Sequence, residues 1–311
     1  MTKLPLVSVV VPAYNGAKTL PHLLDALGRQ SAPAELFEVL VVDDCSDDGS
    51  AELVEASPHA RLIRASERGG SYVARNLGVA QARGQMIAFT DTDCVPAEDW
   101  IEAGCAVVQA PGADVVAGHV EVPLGQNPST AALLDFTRYL DQERHVREHG
   151  FAATANLWVR REVLERAGPF NERLTTGGDL EFGNRVSGSG FSLRYAPEVI
   201  VEHQPRTRVG QLARKGYRLG LGTAQHRKHA NAPTRHRPRL YARPGAYVPH
   251  PSRALDGFKR LERSGYKPTR ARMLAMHAVQ YFCLQLPILV GSIVGSISEA
   301  GAGRRNGRGA H

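Results

Sequence analysis

Two carboxylates separated by one residue, Asp91 and Asp93, directly follow the apolar run QMIAFT at residues 85–90. In an extended tripeptide the first and third side chains lie on the same side, so these carboxylates are held close together. Neighbouring carboxylates repel each other, and a divalent cation relieves that repulsion. Mg²⁺ or Mn²⁺ characteristically takes one or two protein carboxylates together with phosphate oxygens. The pair therefore indicates a Mn²⁺ or Mg²⁺ site that suits a diphosphate.

A second acidic cluster, DDCSDDGS at residues 43–50, follows another apolar run, FEVLVV at 37–42. The run LVSVVV at 6–11, which is stopped by Pro12, has the same character. Largely apolar, Val-rich runs of this length are typical of strands buried on both faces of a parallel sheet. In open α/β sheets, ligands bind beyond the carboxyl ends of the strands. Both acidic clusters are therefore expected at one edge of one sheet.

The elements that must position these clusters alternate along the chain. Strands are predicted at 6–11, 37–42, 61–64, 85–90, 114–122, 191–195 and 199–203. Helices are predicted at 20–27, 51–56, 71–83, 98–109, 130–148 and 161–167, and another begins at 177. This alternation, with right-handed crossovers, predicts an α/β fold: a Rossmann-like, mostly parallel sheet with helices on both faces.

The charge is distributed unevenly, although the net charge is +7. Residues 1–203 contain about 17 Lys and Arg against about 28 Asp and Glu, whereas 204–272 contain about 18 against about 2. A basic segment followed by an apolar stretch is typical of attraction to an anionic membrane surface. The sequence has no helix-turn-helix, zinc-finger or RNA-binding motif, so no nucleic-acid partner is predicted.

The C-terminal run 273–298 contains no Asp, Glu, Lys or Arg over about 26 residues, which is long enough to cross a bilayer. His277, Gln280, Gln285 and Pro287 weaken insertion, so a helix that lies in the membrane interface is a second interpretation. A packing helix of a soluble domain is a third. The segment before it, rich in Arg, His and Pro over 225–270, is predicted to be loop-rich.

Five motifs stand in an order that resembles the family-2 glycosyltransferases, which have the GT-A fold, and the likeness runs over about residues 5–205. The motifs are VVVPAYN (9–15), VVDDCSDDGS (41–50), Gly70 with ARNLG (74–78), FTDTD (89–93), and Asn156 with GPFNE (168–172). The resemblance implies a metal-dependent, inverting transfer of a sugar from a nucleotide diphosphate donor onto an acceptor hydroxyl. Cell-surface polysaccharide or glycolipid synthesis is the implied context, with a saccharide or lipid-linked acceptor.

The same resemblance implies roles for individual residues. The donor is expected to contact the residues that match these motifs: Pro12, Ala13, Tyr14, Asp43, Asp44, Arg75 and Asp91. Among them, Asp44 or Asp43 is expected to accept hydrogen bonds from the base or ribose, and Asp91 to reach the ribose or a metal-bound water. The implied metal ligands are Asp93, Asp91 and His203, a late histidine that follows VIVE.

The general base is implied to lie at the start of a late helix, where family members usually carry Glu-Asp. This chain has Gly178-Asp179, so Asp179 keeps the carboxylate and the preceding Glu is missing. Asp179 also has a simpler interpretation, as a helix N-terminal carboxylate that the macrodipole stabilises. Asn156 and Trp158 resemble residues of the acceptor side, although packing of Trp158 in the core is equally compatible.

Three alternative functions can be compared with the sequence. A sugar-phosphate nucleotidyltransferase needs a glycine-rich basic loop after the first strand, and a Rossmann dehydrogenase needs GxGxxG there. Gly16 stands alone at that position, without Lys or Arg in PAYNG. A non-catalytic, membrane-anchored protein that binds a sugar nucleotide is the third alternative, and the sequence leaves it open.

The predicted organisation begins with a GT-A catalytic domain over 1–205, with a nucleotide-sugar half at about 1–95 and an acceptor half at about 96–205. A basic extension over 206–270, a membrane-associated or transmembrane helix over 271–298 and a flexible tail over 299–311 follow. The N-terminus lacks the basic and apolar regions of a signal peptide, and the four cysteines show no CxxC spacing. The expected location is the cytoplasmic face of the membrane.

Overall fold

The structure is a computed structural model that describes residues 6–229 and 251–306. The strands in these ranges are β1 (Val7–Ala13), β2 (Phe37–Asp43), β3 (Arg61–Arg64), β4 (Met86–Phe89), β5 (Cys94–Pro96), β6 (Val115–Glu121), β7 (Leu157–Arg160) and β8 (Leu193–His203). The α-helices are α1 (Leu20–Gly28), α2 (Ser50–Glu55), α3 (Ser71–Gln81), α4 (Trp100–Gln109), α5 (Thr130–Arg138), α6 (Gln142–Arg144), α7 (Arg161–Ala167), α8 (Gly178–Gly188), α9 (Val209–His229), α10 (Pro251–Arg263), α11 (Arg270–Gln280) and α12 (Leu286–Asn306).

Within the described residues, eight strands form one sheet in the order β3-β2-β1-β4-β7-β6-β8-β5. β1 pairs in parallel with β2 and β4, and β2 pairs in parallel with β3. β7 is antiparallel to β4 and β6, and β5 is antiparallel to β8. β6 also pairs in parallel with β8, so four of these pairings are parallel and three are antiparallel. The predicted α/β sheet with flanking helices is confirmed, as a mixed sheet in which parallel pairings are the majority. The carboxyl ends of β1, β2 and β4 share one edge, which is where the acidic clusters begin.

The central strands are buried on both faces, as their apolar runs predict. Residues 7–11 of β1 and 39–43 of β2 are all buried. Behind them, the rings of Trp100 and Trp158 pack edge to face with centroids 4.9 Å apart. A Cβ on Gly104 would lie 2.2 Å from the Trp158 ring, so α4 approaches β7 this closely only because residue 104 is glycine.

The helix predicted over 130–148 is interrupted in the structure. α5 ends at Arg138, and Leu140 has a φ of +58°, a left-handed conformation that stops an α-helix. The chain continues as α6 and a π-helical turn, His145–His149. Asp141 caps α6 by accepting a hydrogen bond from the N–H of Arg144 at 3.1 Å. This N-cap is the local signal that the apolar periodicity of the segment conceals.

The chain divides into two compact units. The first consists of Met1–Val122, Leu140–Glu172 and Gly178–Gln204, and it contains the whole sheet. The second consists of Pro123–Tyr139, Arg173–Gly177 and Pro205–His311. Residues 123–139 and 173–177, which the sequence analysis assigns to the catalytic domain, therefore belong to the second unit. Residues 123–139 belong there because they contain α5, which packs against α10 and α11.

The second unit is helical over much of the segment predicted to be loop-rich. α9 and α10 occupy most of its described part, and 230–250 lie outside the described residues. α9 packs along α12 through glycines: a Cβ on Gly220 would lie 2.2 Å from the Ile288 carbonyl oxygen, and one on Gly291 would lie 2.2 Å from that of Tyr217. Glycine contributes nothing to an apolar periodicity, so the sequence pattern missed α9.

The predicted flexible tail also differs from the structure. α12 continues to Asn306, so residues 299–306 are helical, and 307–311 lie outside the described residues.

Candidate active site

The loops after β1 and β2 are tied together at the carboxyl edge of the sheet. Asn15 has a φ of +51°, and its side-chain oxygen accepts a hydrogen bond from the Asp47 N–H at 3.0 Å. The Asn15 N–H donates to the Ser46 hydroxyl, and the Gly16 N–H donates to the Ser50 hydroxyl, each at 2.9 Å. These bonds fix the loop next to Pro12, Ala13 and Tyr14, three residues predicted to contact the donor.

Those three residues lie at the end of β1. Pro12 is partly exposed, Ala13 is buried, and the Tyr14 ring is 41% exposed. The Arg68 guanidinium lies over the Tyr14 ring, 3.9 Å from its centroid. Tyr14 therefore presents an aromatic surface, with a cation beside it, at the edge where a planar base is expected to bind.

The two aspartates after β2 have different environments. The carboxylate of Asp44 accepts the N–H groups of Gly69 and Gly70, one on each oxygen, at 2.7 and 2.9 Å. Asp43 accepts the Ser46 N–H on Oδ2 at 3.2 Å, while its Oδ1 is buried without a hydrogen-bond partner. Asp44 thus holds the turn before α3. Of the two candidates for a nucleoside contact, Asp43 is the one with an unused acceptor atom.

Arg75 and Asp91 form a largely buried ion pair. Arg75 lies on α3 and is 4% exposed, and its Nη2 is 2.5 Å from Asp91 Oδ1. Burial disfavours the charged guanidinium, but Asp91 and Asp179 outweigh it and raise the pKa of Arg75. The role predicted for Asp91, a contact with the ribose or the metal, stays a prediction, and in this structure a cation of the protein pairs with one of its oxygens. A carboxylate neutralised in this way is a weaker metal ligand.

Asp93 and His203 lie side by side. β5 begins directly after Asp93 and pairs with β8 so that Cys94 is opposite His203. This register brings His203 Nε2 to 3.3 Å from Asp93 Oδ2. Among the described residues, no cluster of three or more His, Cys, Asp or Glu side chains is present, so the pair offers one carboxylate and one imidazole. Mn²⁺ or Mg²⁺ fits such a pair, because these ions complete their coordination with phosphate oxygens and water.

Asp179 lies in the first turn of α8. Its Oδ2 accepts the Thr154 N–H at 3.5 Å, and the nearby Tyr72 hydroxyl lowers the pKa of the carboxyl. Its Oδ1 is buried without a hydrogen-bond partner. Burial raises the pKa of Asp179, Arg75 opposes this effect and Asp91 adds to it, so that the pKa lies above its ordinary value. The side chain therefore combines a free acceptor atom with increased basicity.

Tyr72 is a residue of this site that the sequence motifs did not indicate. It lies on α3, three residues before Arg75, which puts both side chains on the same face of that helix. Its hydroxyl accepts the Gly178 N–H at 2.9 Å. A Cβ on residue 178 would lie 2.6 Å from the Tyr72 ring. Gly178, in place of the expected Glu, was thus the available signal that another side chain occupies that space.

Glu181, the other acidic residue at the start of α8, is a packing residue. It is 1% exposed, and its Oε1 accepts from Arg185 Nε at 2.8 Å. Arg185 also donates to the carbonyl oxygens of Ala167, Gly168 and Pro169. The Glu181–Arg185 pair therefore fastens α8 to the turn that follows α7.

Asn156 and Trp158 do not lie on a surface that an acceptor could reach, because both are 0% exposed. Asn156 accepts the Trp100 indole N–H at 3.0 Å and donates to the carbonyl oxygens of His119 and Val199 at 2.8 and 2.9 Å. Their predicted role on the acceptor side is corrected to one in the core, where Asn156 links β6, β8 and α4.

A cavity of about 310 Å³ opens elsewhere on the first unit, and none of the predicted site residues line it. Leu6 and Gln85, which line it, precede β1 and β4, so it lies at the amino ends of these strands. Two arginines of its wall, Arg160 and Arg161, donate to backbone carbonyl oxygens. Both guanidinium groups are therefore used in hydrogen bonds to the backbone.

Residues 8–168 match the sequence profile of a family described as "Glycosyl transferase family 2". The chain is 36% identical over 226 residues to "Glycosyltransferase AglE" of Haloferax volcanii, which covers 71% of this chain and 74% of that protein. It is 34% identical over 113 residues to the poly(ribitol-phosphate) beta-N-acetylglucosaminyltransferase TarS of Staphylococcus aureus. That second match covers 35% of this chain and only 20% of TarS.

The fold is shared with a solved mannosyltransferase, PcManGT from Pyrobaculum calidifontis, in complex with GDP-Man and Mn²⁺. The TM-score is 0.63 at 22% identity, and the match covers 95% of this chain and 88% of that one. At this level of identity the likeness concerns the fold, which is of the GT-A type.

Proposed function

The chain belongs to glycosyl transferase family 2, and we propose that it transfers a sugar from a nucleotide diphosphate donor onto an acceptor hydroxyl, with inversion at the anomeric carbon. The observation that carries the proposal is the Asp179 carboxylate. It has a buried oxygen without a partner and a raised pKa, in the same unit as the Asp93–His203 pair. The free oxygen and the raised pKa suit a proton acceptor, and the Asp93–His203 pair suits a metal-bound diphosphate.

In the proposed reaction, Asp179 takes the proton of the acceptor hydroxyl while that oxygen forms a bond to the anomeric carbon. The bond between the anomeric carbon and the diphosphate oxygen breaks, and its electron pair leaves with the nucleoside diphosphate. A single displacement of this kind inverts the configuration and needs no covalent intermediate. The raised pKa of Asp179 supports this role, since a base is most effective when its pKa approaches the working pH.

Asp93 and His203 would hold the divalent cation, Mn²⁺ or Mg²⁺. When bound, such a cation offsets the negative charge that develops on the departing diphosphate. Arg75 has a separate role in the proposal. It is a fixed cation that interacts with both Asp91 and Asp179, so it reduces the repulsion between these two carboxylates and keeps Asp179 from becoming too weak an acid.

On the donor side, we assign the nucleoside contact to Tyr14 and Asp43. Tyr14 offers an exposed ring, and Asp43 has an oxygen that the protein does not use. Asp44 is left out of this contact because both of its oxygens accept backbone N–H groups.

For the acceptor, we propose a saccharide or lipid-linked saccharide in the synthesis of a cell-surface polymer. Its support is the relative TarS, a poly(ribitol-phosphate) beta-N-acetylglucosaminyltransferase, whose named substrate is a polymer. The GDP-Man complex of PcManGT and a UDP-GlcNAc complex of TarS provide the first two donors to test.

We also propose that the second unit binds an anionic membrane surface. Within the described residues, Arg270–Ser298 is one helix that is long and apolar enough to cross a membrane, and 33% of its most apolar window is buried. The large apolar side chains on its outer side are exposed: Phe282, Leu286, Val290, Ile293 and Ile297. Lys259, Arg263, Lys267 and Arg270, which precede this stripe in the sequence, are exposed as well.

Packing within the unit favours a helix that lies in the membrane plane over one that crosses it. α12 contacts α9 along its length, and α9 carries Arg214, Lys215 and Arg218. A charged side chain at the centre of a bilayer costs at least about 2.5 kcal/mol. α12 could cross alone only if it separated from α9, whereas lying in the interface buries its apolar stripe in lipid with the helix pair intact.

A binding and turnover experiment tests the proposed activity. Thermal unfolding of the protein is measured with UDP-GlcNAc or GDP-mannose, with and without Mn²⁺. In a separate assay on the folded protein, nucleotide release is followed with candidate saccharide acceptors. A donor at 100 times its Kd adds about 2.7 kcal/mol of stability. Metal-dependent stabilisation with acceptor-dependent nucleotide release is the expected result. Stabilisation without release, across donors and acceptors, would instead favour the non-catalytic binding protein.

A further inference from the structure

The first turn of α8 receives a hydrogen-bonding partner from another helix. The first N–H groups of an α-helix have no acceptor within the helix. The Tyr72 hydroxyl, from α3, accepts the Gly178 N–H at 2.9 Å. It is also near enough to the Asp179 carboxyl to lower the pKa of that group. One side chain therefore holds the backbone directly before the residue assigned as the base and acts on its carboxyl.

The position of this hydroxyl is fixed by packing. Tyr72 is 6% exposed, and its ring stacks on Phe170 with centroids 5.7 Å apart. Three carbons of the ring would lie within 2.6 to 2.8 Å of a Cβ on residue 178, so the ring occupies the space that a side chain there would fill. Burial and the nearby Asp179 hold the pKa of Tyr72 above its usual range. Tyr72 therefore keeps its proton and can donate it in a hydrogen bond.

We propose that Tyr72 is a positioning residue for the general base, whose hydroxyl holds the first turn of α8 and directs the Asp179 carboxylate toward the acceptor hydroxyl. This inference rests on the proposed function, because it assigns Tyr72 a role only through Asp179. The contacts divide the carboxylate between two uses: Oδ2 accepts the Thr154 N–H, while Oδ1 is left without a partner for the proton.

The groups that act on Asp179 make the role of the hydroxyl measurable. Asp179 interacts with the cation of Arg75, the anion of Asp91, the Thr154 N–H and the Tyr72 hydroxyl. The hydroxyl is one of the contacts that lower the pKa of the carboxyl, and Tyr72→Phe removes it while keeping the ring. The pKa of Asp179 should then rise further, so the acidic limb of the pH profile for kcat should move to higher pH. A role in packing alone would not move that limb.

The experiment compares Tyr72→Phe with Tyr195→Phe in the full-length protein. Tyr195 is the matched control, because its hydroxyl also makes a hydrogen bond inside the first unit, from β8 to His119 Nδ1 at 2.8 Å. The assay is nucleotide release from UDP-GlcNAc or GDP-mannose with Mn²⁺. For Tyr72→Phe, kcat should fall by about 10-fold or more, since small misplacements of reacting groups can reach 10²-fold effects. The KM for the donor should stay unchanged, and Tyr195→Phe should keep the parent kcat and pH profile.

The double variant Tyr72→Phe/Asp179→Asn decides whether Tyr72 acts through Asp179. If it does, the second substitution has nothing left to disturb, and the double variant should match the residual rate of Asp179→Asn. If the single variant Asp179→Asn is inactive but Tyr72→Phe keeps the parent kcat and pH profile, the positioning role alone is overturned. The positioning role is also overturned if Tyr72→Phe lowers the residual rate of Asp179→Asn by the same factor by which it lowers the rate of the parent. Parent-like activity of Asp179→Asn itself would instead remove the base, and the positioning role with it.

Discussion

Replacing Asp179 by Asn removes the proposed proton acceptor and keeps the shape of the side chain. Glu181→Gln is the matched control, because it makes the same chemical change two residues later on α8. Residues two apart on an α-helix point about 200° away from each other, so both cannot face one reacting carbon. Glu181 is also 1% exposed and paired with Arg185. The two variants therefore separate loss of a base from loss of a buried charge.

The two changes should differ in their effect on the rate. General base catalysis contributes about 10²–10⁴-fold, so Asp179→Asn should lower kcat by at least about 10²-fold while the affinity for the donor stays the same. Glu181→Gln should keep a rate close to that of the parent. Its Arg185 partner still donates to the carbonyl oxygens of Ala167, Gly168 and Pro169, which holds the turn after α7 in place.

The two changes should also have opposite effects on the free energy of unfolding. The folded-state pKa of Asp179 is raised, so its ionisation destabilises the fold: the cost begins as the pH rises above the unfolded-state pKa and is complete above the folded-state pKa. Asp179→Asn should therefore be more stable than the parent near neutral pH, and the difference should vanish below the unfolded-state pKa. Glu181→Gln weakens a charged, buried hydrogen bond and should cost about 1–3 kcal/mol. For a chain of this size, that is a fall in Tm of about 2–4 °C per kcal/mol.

Nucleotide release and thermal unfolding across pH, measured for both variants side by side, give the result. The parent kcat should fall as the pH drops through the raised pKa of Asp179, because the base must be ionised. An active Asp179→Asn protein refutes the assignment. A Glu181→Gln protein that binds the donor but is inactive would transfer the role of base to Glu181. A less stable Asp179→Asn protein at neutral pH would contradict the argument from burial.

The remaining predictions concern the metal, the membrane and the helix pair. Asp93→Ala should abolish Mn²⁺-dependent stabilisation by the donor in thermal unfolding, because one ligand of the proposed pair is lost; unchanged stabilisation removes the metal assignment. The double variant Phe282→Ser/Ile297→Ser should reduce cosedimentation with phosphatidylglycerol vesicles at an unchanged Tm, since both side chains are exposed at 63% and 67%. If the parent protein ignores these vesicles, the membrane proposal fails. Gly220→Val should lower the Tm by several degrees, because its Cβ would meet the Ile288 carbonyl oxygen at 2.2 Å.

The sheet and the acidic edge could be predicted because the information is local. A strand buried on both faces is an unbroken apolar run, and Asp91 and Asp43 stand at the ends of such runs. Position after a strand then places both clusters at one edge without any knowledge of distant contacts. The pairing of Asp93 with His203 could not be predicted from local sequence, because it depends on the register between β5 and β8. It was anticipated through a family resemblance, which carries that long-range information.

The environments of the predicted residues could not be read from their types. Trp158 fits a sugar platform or a core equally well, and the choice depends on the space that Gly104 leaves in another element. Asp44 and Asp43 are adjacent carboxylates, and only the turn at Gly69 and Gly70 decides which one has an unused oxygen. In each case the deciding contact lies 25 or more residues away in the chain.

The departure at residue 178 shows how a local motif can depend on a distant side chain. In the sequence, Gly178 is recognisable only as the position where the usual Glu is missing. In the structure, the ring of Tyr72, 106 residues away, fills that space, and its hydroxyl bonds the Gly178 N–H. Any side chain at 178 would displace the ring, so the glycine and the tyrosine are required together. The substitution that seemed to weaken the proposed base is therefore what lets a neutral, buried hydroxyl reach it.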